Sequence, residues 1–520
     1  MQTLRYALAL VAVALTLTST AQRPEHWACG TTPVDLDDLR ADIARGKALA
    51  PQARGMVTYI PLRFQLIARD DTTGSADPNK VLDLMRAVNV DFAPHDWQFY
   101  LADSDGKPWG VLPSTNLYEN HAASQSVLRR LKASDAMTVY VPNTATPPGG
   151  SDIGVTLGYY SRSNDYLVFR RSEVGSNSST ATHEIGHYFG LPHPFRGWDC
   201  TGWDGLQTID GDVSSPVMLT SAPCSSVPVE LVTRGPDANC TTAGDLFCDT
   251  PADYNLGFGW SDCNYTGGVR DRNNELIRPD EENVMGYFLN CSTYRFSDEQ
   301  VQSMRGNYAA ANRRFLRDNA TPANTAEVDQ PVTFTFPAAD GDVADFFDDV
   351  TIAWEAVPNA TYYYLEVSTR RSFSVLTYEE VITDGRTSVR LTDLEADDDY
   401  YVRVRPFSNV SFGAPVLTRT FSTSSLSGAN SAPPAVDELA VYPNPLGSRE
   451  PLRVRAAVST PTDAVLSVAD VTGRELSRRP VRLLPGGASV ELDDLTLTPG
   501  TYSLTVRSAR GTSSRAFVVR

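Results

Sequence analysis

Apolar residues change their spacing several times along the chain. In 22–54 Leu36, Leu39, Ile43 and Leu49 recur at roughly helical spacing in a polar background, which predicts a short helix. From 55 to 320 the pattern mixes two periods. Strand-like runs (Val57–Ile60, Met137–Val141, Tyr166–Phe169) alternate with helical ones (Asn79–Val88, Ser124–Lys132, Asp298–Arg317), which predicts an α/β (α+β) domain. Helical spacing then vanishes. Thr351–Trp354, Tyr362–Val367 and Tyr400–Val404 cluster β-formers between turn residues, so 328–423 reads as an all-β sandwich. A Ser/Ala/Pro-rich stretch, 424–437, reads as a linker. Short strands return over 438–520 (Ala464–Val468, Ser489–Leu492, Tyr502–Val506, Arg515–Val519) as a second all-β sandwich module.

The first residues carry an address. Arg5 precedes an apolar run, Tyr6–Leu17, and Ser19-Thr20-Ala21 follows with small residues. This is the pattern of a secretory signal peptide, 1–21, cut after Ala21. The run is short for a membrane span, and no later stretch is apolar enough for one, so no span is expected in the mature protein. The length, 520 residues, suits three or four domains. Hydrophobic residues at 41% and charged residues at 21% exclude a largely disordered or fibrous chain. A net charge of −18 argues against nucleic acid as a partner, which needs a basic face. Export brings oxidising conditions, so pairing is expected among the cysteines at 29, 200, 224, 240, 248, 263 and 291. Seven is odd, and Cys29, far upstream of the others, is the expected unpaired thiol.

Three of the six histidines lie in one run, His183-Glu184-Ile185-Gly186-His187-Tyr188-Phe189-Gly190-Leu191-Pro192-His193. Positions i and i+4 of a helix differ by ~40° and share a face, so His183 and His187 can grip one ion. Glu184 emerges beside them, placed to polarise a metal-bound water rather than to ligate it. Gly190 permits the positive φ that ends a helix, and His193 then supplies a third ligand from outside it. Three neutral histidines leave one position open for water, the pattern of a catalytic zinc. Zinc lowers the pKa of that water towards ~7, and Glu184 accepts its proton.

This run resembles the metzincin zinc signature. Asn283-Val284-Met285-Gly286-Tyr287 resembles the methionine turn that metzincins place beneath the metal. Cys291 followed by Phe296-Ser297-Asp298-Glu299-Gln300, and the blocks Asn239–Asp245 and Cys248-Asp249-Thr250-Pro251-Ala252-Asp253, resemble the pappalysin (M43, cytophagalysin-type) family. The resemblance covers 55–320. It implies zinc on His183, His187 and His193, Glu184 as general base and then acid, Met285 as the floor under the metal, and Tyr287 as the oxyanion stabiliser. Cys29-Gly30-Thr31 resembles the short element of that family's pro-segments, which implies a zymogen switch: the Cys29 thiolate on zinc's open position. The pro-segment is then 22–54, with Arg54–Gly55 the first candidate for the activating cut. A disulfide between Cys263 and Cys291 is also implied. Cys240, Cys248, Cys200 and Cys224 remain, with three connectivities open, local pairing as Cys200–Cys224 and Cys240–Cys248 among them. Structural calcium is implied as well, with Asp245, Asp249, Thr250 and Asp253 offering oxygen ligands; plain turn chemistry is the alternative.

Residues 328–423 resemble a fibronectin type III domain through Trp354 and Tyr401–Val404. Val441–Pro445, Asp470–Arg474 and Thr498–Tyr502 resemble the C-terminal sorting domain of the type IX secretion system. That implies the type IX machinery as a partner and release at, or attachment to, the outer surface of a gram-negative cell. The reading that follows is a secreted, latent zinc metalloendopeptidase acting on proteins or peptides. Its rival is an inactive surface adhesin or binding protein on a metzincin scaffold, disfavoured by the intact Glu184 and ligand set.

Overall fold

A computed structural model describes residues 27–520 except 51–54, 104, 150–154, 201–215, 261, 319–320, 428–434, 448–449, 472–473, 486–487, 493–494 and 496. The expected signal peptide, Arg54 of the expected activating cut and the middle of the linker lie outside the described residues.

The first 330 residues contain β1 (Trp27–Ala28), α1 (Leu36–Ala48), β2 (Thr58–Ala68), α2 (Pro78–Phe92), β3 (Trp97–Leu101), β4 (Gly110–Pro113), α3 (Thr115–Asn120), α4 (Gln125–Leu131), β5 (Met137–Val141), β6 (Val155–Thr156), β7 (Gly158–Ser161), β8 (Tyr166–Phe169), α5 (Ser179–Tyr188) and α6 (Asp298–Ala309). The sheet runs β3-β2-β5-β8-β7, with β4 also on β2. Every ladder is parallel except β7 on β8, so the sheet is mixed. Parallel strands buried on both faces read as unbroken apolar runs. Accordingly, all five residues of β5 and all four of β8 are buried. Two elements from the stretch 22–54 join this domain: β1 pairs parallel with β6, and α1 packs on α6.

Helix limits differ from the periodicity in two places. α2 starts at Pro78, capped by Asp77, whose side chain accepts from Asn79 N–H. It runs on to Phe92, which buries its ring against Trp97, Phe99 and Phe296. The helix expected over Asp298–Arg317 is broken. Its start carries a capping box, Ser297 with Gln300, but Ala310 turns extended and a short 3₁₀ segment, Ala311–Leu316, follows. The break carries Arg313 beneath α5, where it donates to the Tyr188 carbonyl at 2.6 Å and to the Tyr160 hydroxyl at 3.0 Å.

Between α5 and α6 the described residues form no helix or strand. This segment is held by its own apolar cluster, including Phe195, Trp198, Tyr254, Tyr265, Ile277 and Phe288. Three disulfides brace it: Cys200–Cys224, Cys240–Cys248 and Cys263–Cys291. Cys29 is free.

The next module holds β9 (Phe334–Phe336), β10 (Asp342–Ala344), β11 (Val350–Trp354), β12 (Tyr362–Ser368), β13 (Tyr378–Ile382), β14 (Ser388–Leu391), β15 (Asp399–Phe407) and β16 (Leu417–Thr423). They form a five-stranded sheet, β10-β16-β15-β12-β13, and a three-stranded one, β14-β11-β9. Trp354 of one sheet meets Tyr363 of the other at 5.5 Å between ring centres. The Tyr400 hydroxyl accepts from the Glu395 N–H at 2.8 Å, the corner tyrosine common in such sandwiches.

The last module has strands β17 (Glu438–Tyr442), β18 (Leu452–Ala457), β19 (Thr462–Asp470), β20 (Glu475–Leu483), β21 (Ala488–Leu492), β22 (Gly500–Ser508) and β23 (Gly511–Val519). Sheets β17-β18-β21 and β20-β19-β22-β23 share one core, with Val454, Leu466, Val468, Leu504 and Val506 at its centre. No helix of the described residues is long and apolar enough to cross a membrane.

His121 follows α3 in the core of the first domain, only 1% exposed, with neither ring nitrogen hydrogen-bonded. Burial pushes its pKa down to about 4. A depressed histidine contributes stability above the unfolded value near 6.5 that is lost as pH falls towards 4. We expect His121→Phe to flatten the loss of unfolding free energy between pH 6.5 and 4 by up to ~3 kcal/mol, measured by urea unfolding of the full chain. An unchanged pH profile would mean that this ring is not the acid-labile group.

Candidate metal centre

The run His183–His193 folds as its residues dictate. α5 ends at Tyr188, and Gly190 takes φ +88°. Leu191 N–H donates to the Gly186 carbonyl and Gly190 N–H to that of His187, both at 3.0 Å, a Schellman ending that turns the chain back on the helix. His193 thereby faces His183 and His187. The three Nε2 atoms lie 3.1–3.2 Å apart.

Each outer ring nitrogen has an acceptor. His183 Nδ1 meets the Val284 carbonyl and His187 Nδ1 the Leu191 carbonyl, both at 2.7 Å. His193 Nδ1 meets Asp199 Oδ1 at 2.6 Å. A neutral imidazole has one N–H, and these partners assign it to Nδ1 in all three rings. Burial, and then the charge of His193, hold His183 down to about 3; burial also holds His187 well below the usual histidine range. Three bare lone pairs therefore converge on one point, an arrangement that repels itself unless a cation sits there. Nitrogens bound tetrahedrally at ~2.0–2.1 Å would lie ~3.3–3.4 Å apart, close to the spacing found, so the donor set fits zinc.

Cys29 completes the cluster. Its Sγ and the histidine donor atoms all lie within 4.8 Å of one another. Burial and the neighbouring Glu184 push its thiol pKa up in the metal-free chain, and a cation in the histidine pocket acts in the opposite direction. The same short segment touches two further groups. Thr31 Oγ1 donates to Glu184 Oε2 at 2.8 Å and accepts from Tyr160 N–H at 2.7 Å, while Cys29 N–H donates to the Tyr287 hydroxyl at 3.0 Å. Glu184 is buried, which pushes its carboxyl up to about 7. Burial raises the Tyr287 phenol further above its ordinary value.

The methionine turn is seated by α5 and α6 together. A Cβ on Gly186 would lie 2.4 Å from Met285 Sδ, so this glycine is what admits Met285 beneath the histidines. Asn283 Oδ1 accepts from Met285 N–H at 3.0 Å, and Asn283 Nδ2 donates to Gln300 Oε1 at 3.0 Å. The residue that caps α6 thus also holds the turn.

The four expected calcium ligands divide. Thr250 Oγ1 lies 2.9 Å from Asp245 Oδ2, and both residues are buried. Asp253 is buried and accepts from Leu256 N–H at 2.9 Å. Asp249 is engaged elsewhere: it accepts from Ser297 Oγ and Glu299 N–H, both at 2.8 Å, at the start of α6. Its place beside Asp245 is taken by Glu230, which no sequence pattern marked. Glu230 Oε1 accepts from Arg234 at 2.9 Å, and its buried Oε2 has no hydrogen-bond partner. Burial, then the charge of Asp245, push Glu230 well above the usual carboxylate range; burial lifts Asp245 to about 8. Thr31 and Asp199 were likewise missed: one follows Cys29-Gly30, the other lies in the irregular chain after His193.

No family model matches the chain. Similarity to curated proteins does. A Colletotrichum graminicola protein is 28% identical over 210 residues, covering 37% of this chain and 68% of its own length. A second from that fungus is 31% identical over 135 residues, covering 24% and 45%. One from Verticillium alfalfae is 26% identical over 222 residues, covering 35% and 69%. All three homologues are named extracellular metalloprotease. Among solved structures, the FN1-FN3 domains of chicken CNTN1 match over 38% of this chain and 69% of theirs, at 15% identity and a TM-score of 0.16.

Gly186→Ala tests how Met285 is seated. Overpacking a close contact costs about 1–3 kcal/mol, so the thermal midpoint of this domain should fall. A midpoint raised by the ~1 kcal/mol that alanine gains over glycine inside a helix would show that Met285 does not occupy this position.

Proposed function

We propose that the chain is a secreted zinc metalloendopeptidase of the metzincin type, pappalysin group, made as a latent precursor. The observation that carries this reading is the convergence of three buried Nε2 donors beside a buried carboxylate, in a chain similar to proteins named extracellular metalloproteases. Zinc held by His183, His187 and His193 would supply Lewis acidity towards water and the scissile carbonyl.

The chain's own residues do the rest. Glu184, buried and adjacent to the ligands, takes a proton from the attacking water and hands it to the leaving amine. Tyr287, whose hydroxyl is held by the pro-segment in the latent form, donates to the oxyanion once that segment leaves. Met285 forms the apolar floor. Cys29 excludes water from the metal, and activation follows a cut near Arg54–Gly55 that frees 22–54. The domains are then a signal peptide 1–21, the pro-segment, a catalytic domain 55–320, a fibronectin type III-like module 328–423, a linker 424–437 and a sorting domain 438–520. The Asp-Thr-Pro block supports the pappalysin grouping. Export by a type IX apparatus is supported by Val441–Pro445 and Thr498–Tyr502, where the Tyr502 hydroxyl locks its turn onto the Thr498 carbonyl at 2.8 Å. The similar proteins found are fungal, so a gram-negative surface rests on those segments alone.

A structural calcium is proposed at Glu230, Asp245, Thr250 and Asp253. Glu230, raised by burial and by the charge of Asp245, keeps one buried oxygen without a hydrogen-bond partner, and such hard oxygen donors suit calcium. Asp249 is left out because both its oxygens serve α6.

The full chain carrying Cys29→Ala should cleave a quenched peptide library without processing, while the parent chain stays latent. Adding Glu184→Gln should lower kcat/KM by ~10²–10⁴-fold. Chelation should abolish cleavage and zinc restore it. A Glu184→Gln protein as active as its parent would sink the mechanism. For the second ion, calcium should raise the melting temperature of the full chain, and Glu230→Gln should remove most of that rise. An identical calcium response in the variant would exclude Glu230 as a ligand.

A further inference from the structure

The third histidine differs from the other two in what holds it. His183 and His187 stand on a helix that presets their directions, and each gives its Nδ1–H to a neutral backbone carbonyl. His193 stands on irregular chain and gives its Nδ1–H to a carboxylate, Asp199 Oδ1, at 2.6 Å. We propose that Asp199 is a positioning residue for the metal: it fixes the direction and tautomer of His193 and strengthens the donor character of its Nε2, and so sets how tightly zinc is retained. The inference rests on the zinc reading above.

The turn that presents Asp199 is built to keep it still. Its second oxygen, Oδ2, accepts from Gly197 N–H at 2.8 Å, so both carboxylate oxygens are committed and the group cannot rotate. Cys200, the next residue, is tied to Cys224. Cys224 N–H in turn donates to the Gly197 carbonyl at 2.9 Å. Gly197 takes φ +94°, and a Cβ there would lie 2.6 Å from Ala222 Cβ, so the turn lies hard against the strap that carries Cys224. On its open side the Phe195 ring stacks on His193 at 4.5 Å between centres. The disulfide thus anchors the carboxylate, and the carboxylate anchors the ligand. A charged acceptor makes the stronger hydrogen bond and raises the basicity of the far nitrogen. Of the three ligands, the one without a helix beneath it receives that partner.

The test is zinc affinity of the full chain, measured by equilibrium competition with a chromophoric chelator. Asp199→Asn keeps the shape but removes the charge and one acceptor; Asp199→Ala removes the partner. Loss of such a partner costs about 10–100-fold in metal affinity, so the zinc Kd should rise by that factor in Asp199→Asn and at least as much in Asp199→Ala. The melting temperature of the metal-free proteins should fall by far less than that of the zinc-loaded ones. In cobalt-loaded protein the visible bands should shift in Asp199→Asn, reporting a changed ligand field. Parental affinity in both variants would overturn the proposal. An affinity loss matched by an equal fall in metal-free stability, with unshifted cobalt bands, would also overturn it, because Asp199 would then be holding only the loop. A parent chain that retains no zinc would overturn the zinc reading itself, and this inference with it.

Discussion

Three imidazole nitrogens, each with its proton turned away, point their lone pairs at one another across 3.1–3.2 Å. In a buried site that arrangement is unfavourable without a cation, and much of the surrounding chain is arranged to enforce it. The Schellman turn reverses the chain so that His193 meets the helix, and its Leu191 carbonyl orients His187. The Val284 carbonyl, on the methionine turn, orients His183. A bare glycine, Gly186, leaves room for Met285 against α5. Gln300 then ties that turn to the start of α6 through Asn283.

The short stretch Cys29–Thr31 meets the same centre at three points. Cys29 faces the histidine donors, the Thr31 hydroxyl occupies the carboxylate of Glu184, and the Cys29 amide occupies the Tyr287 hydroxyl. The histidine cluster, Glu184 and Tyr287 are each engaged by a stretch of three residues. The irregular chain between α5 and α6 bears the supporting groups, and disulfides replace secondary structure as its brace.

Local periodicity made much of the fold legible. β5 and β8 run over the residues that their β-forming runs marked, because strands buried on both faces are nearly continuous in apolar and β-branched residues, with only Thr138 and the tyrosine hydroxyls polar. It failed where tertiary contacts decide. α2 extends to Phe92 to bury a ring, and the expected long last helix breaks at Ala310 to send Arg313 under α5. The residues that converge here, His183, His187, His193, Cys29 and the turn at Val284–Met285, stood out in the sequence because their spacing is local or their residue types rare. Asp199, Thr31 and Glu230 did not. Each is a common residue in irregular chain, and its partner is chosen by the fold: Thr31 meets Glu184 from 153 positions away. Asp249 shows why such a block is ambiguous: a carboxylate in it reads the same whether it faces an ion or, as here, accepts from Ser297 and Glu299 at the start of a helix.

The central claim concerns which atoms hold the metal. X-ray absorption at the zinc edge of the purified full chain measures that directly. The account predicts one tightly held zinc with three imidazole nitrogens and one sulfur in its first coordination sphere, the sulfur replaced by a light atom in Cys29→Ala. A chain that retains no zinc, or a zinc whose neighbours lack the three imidazoles, would contradict it.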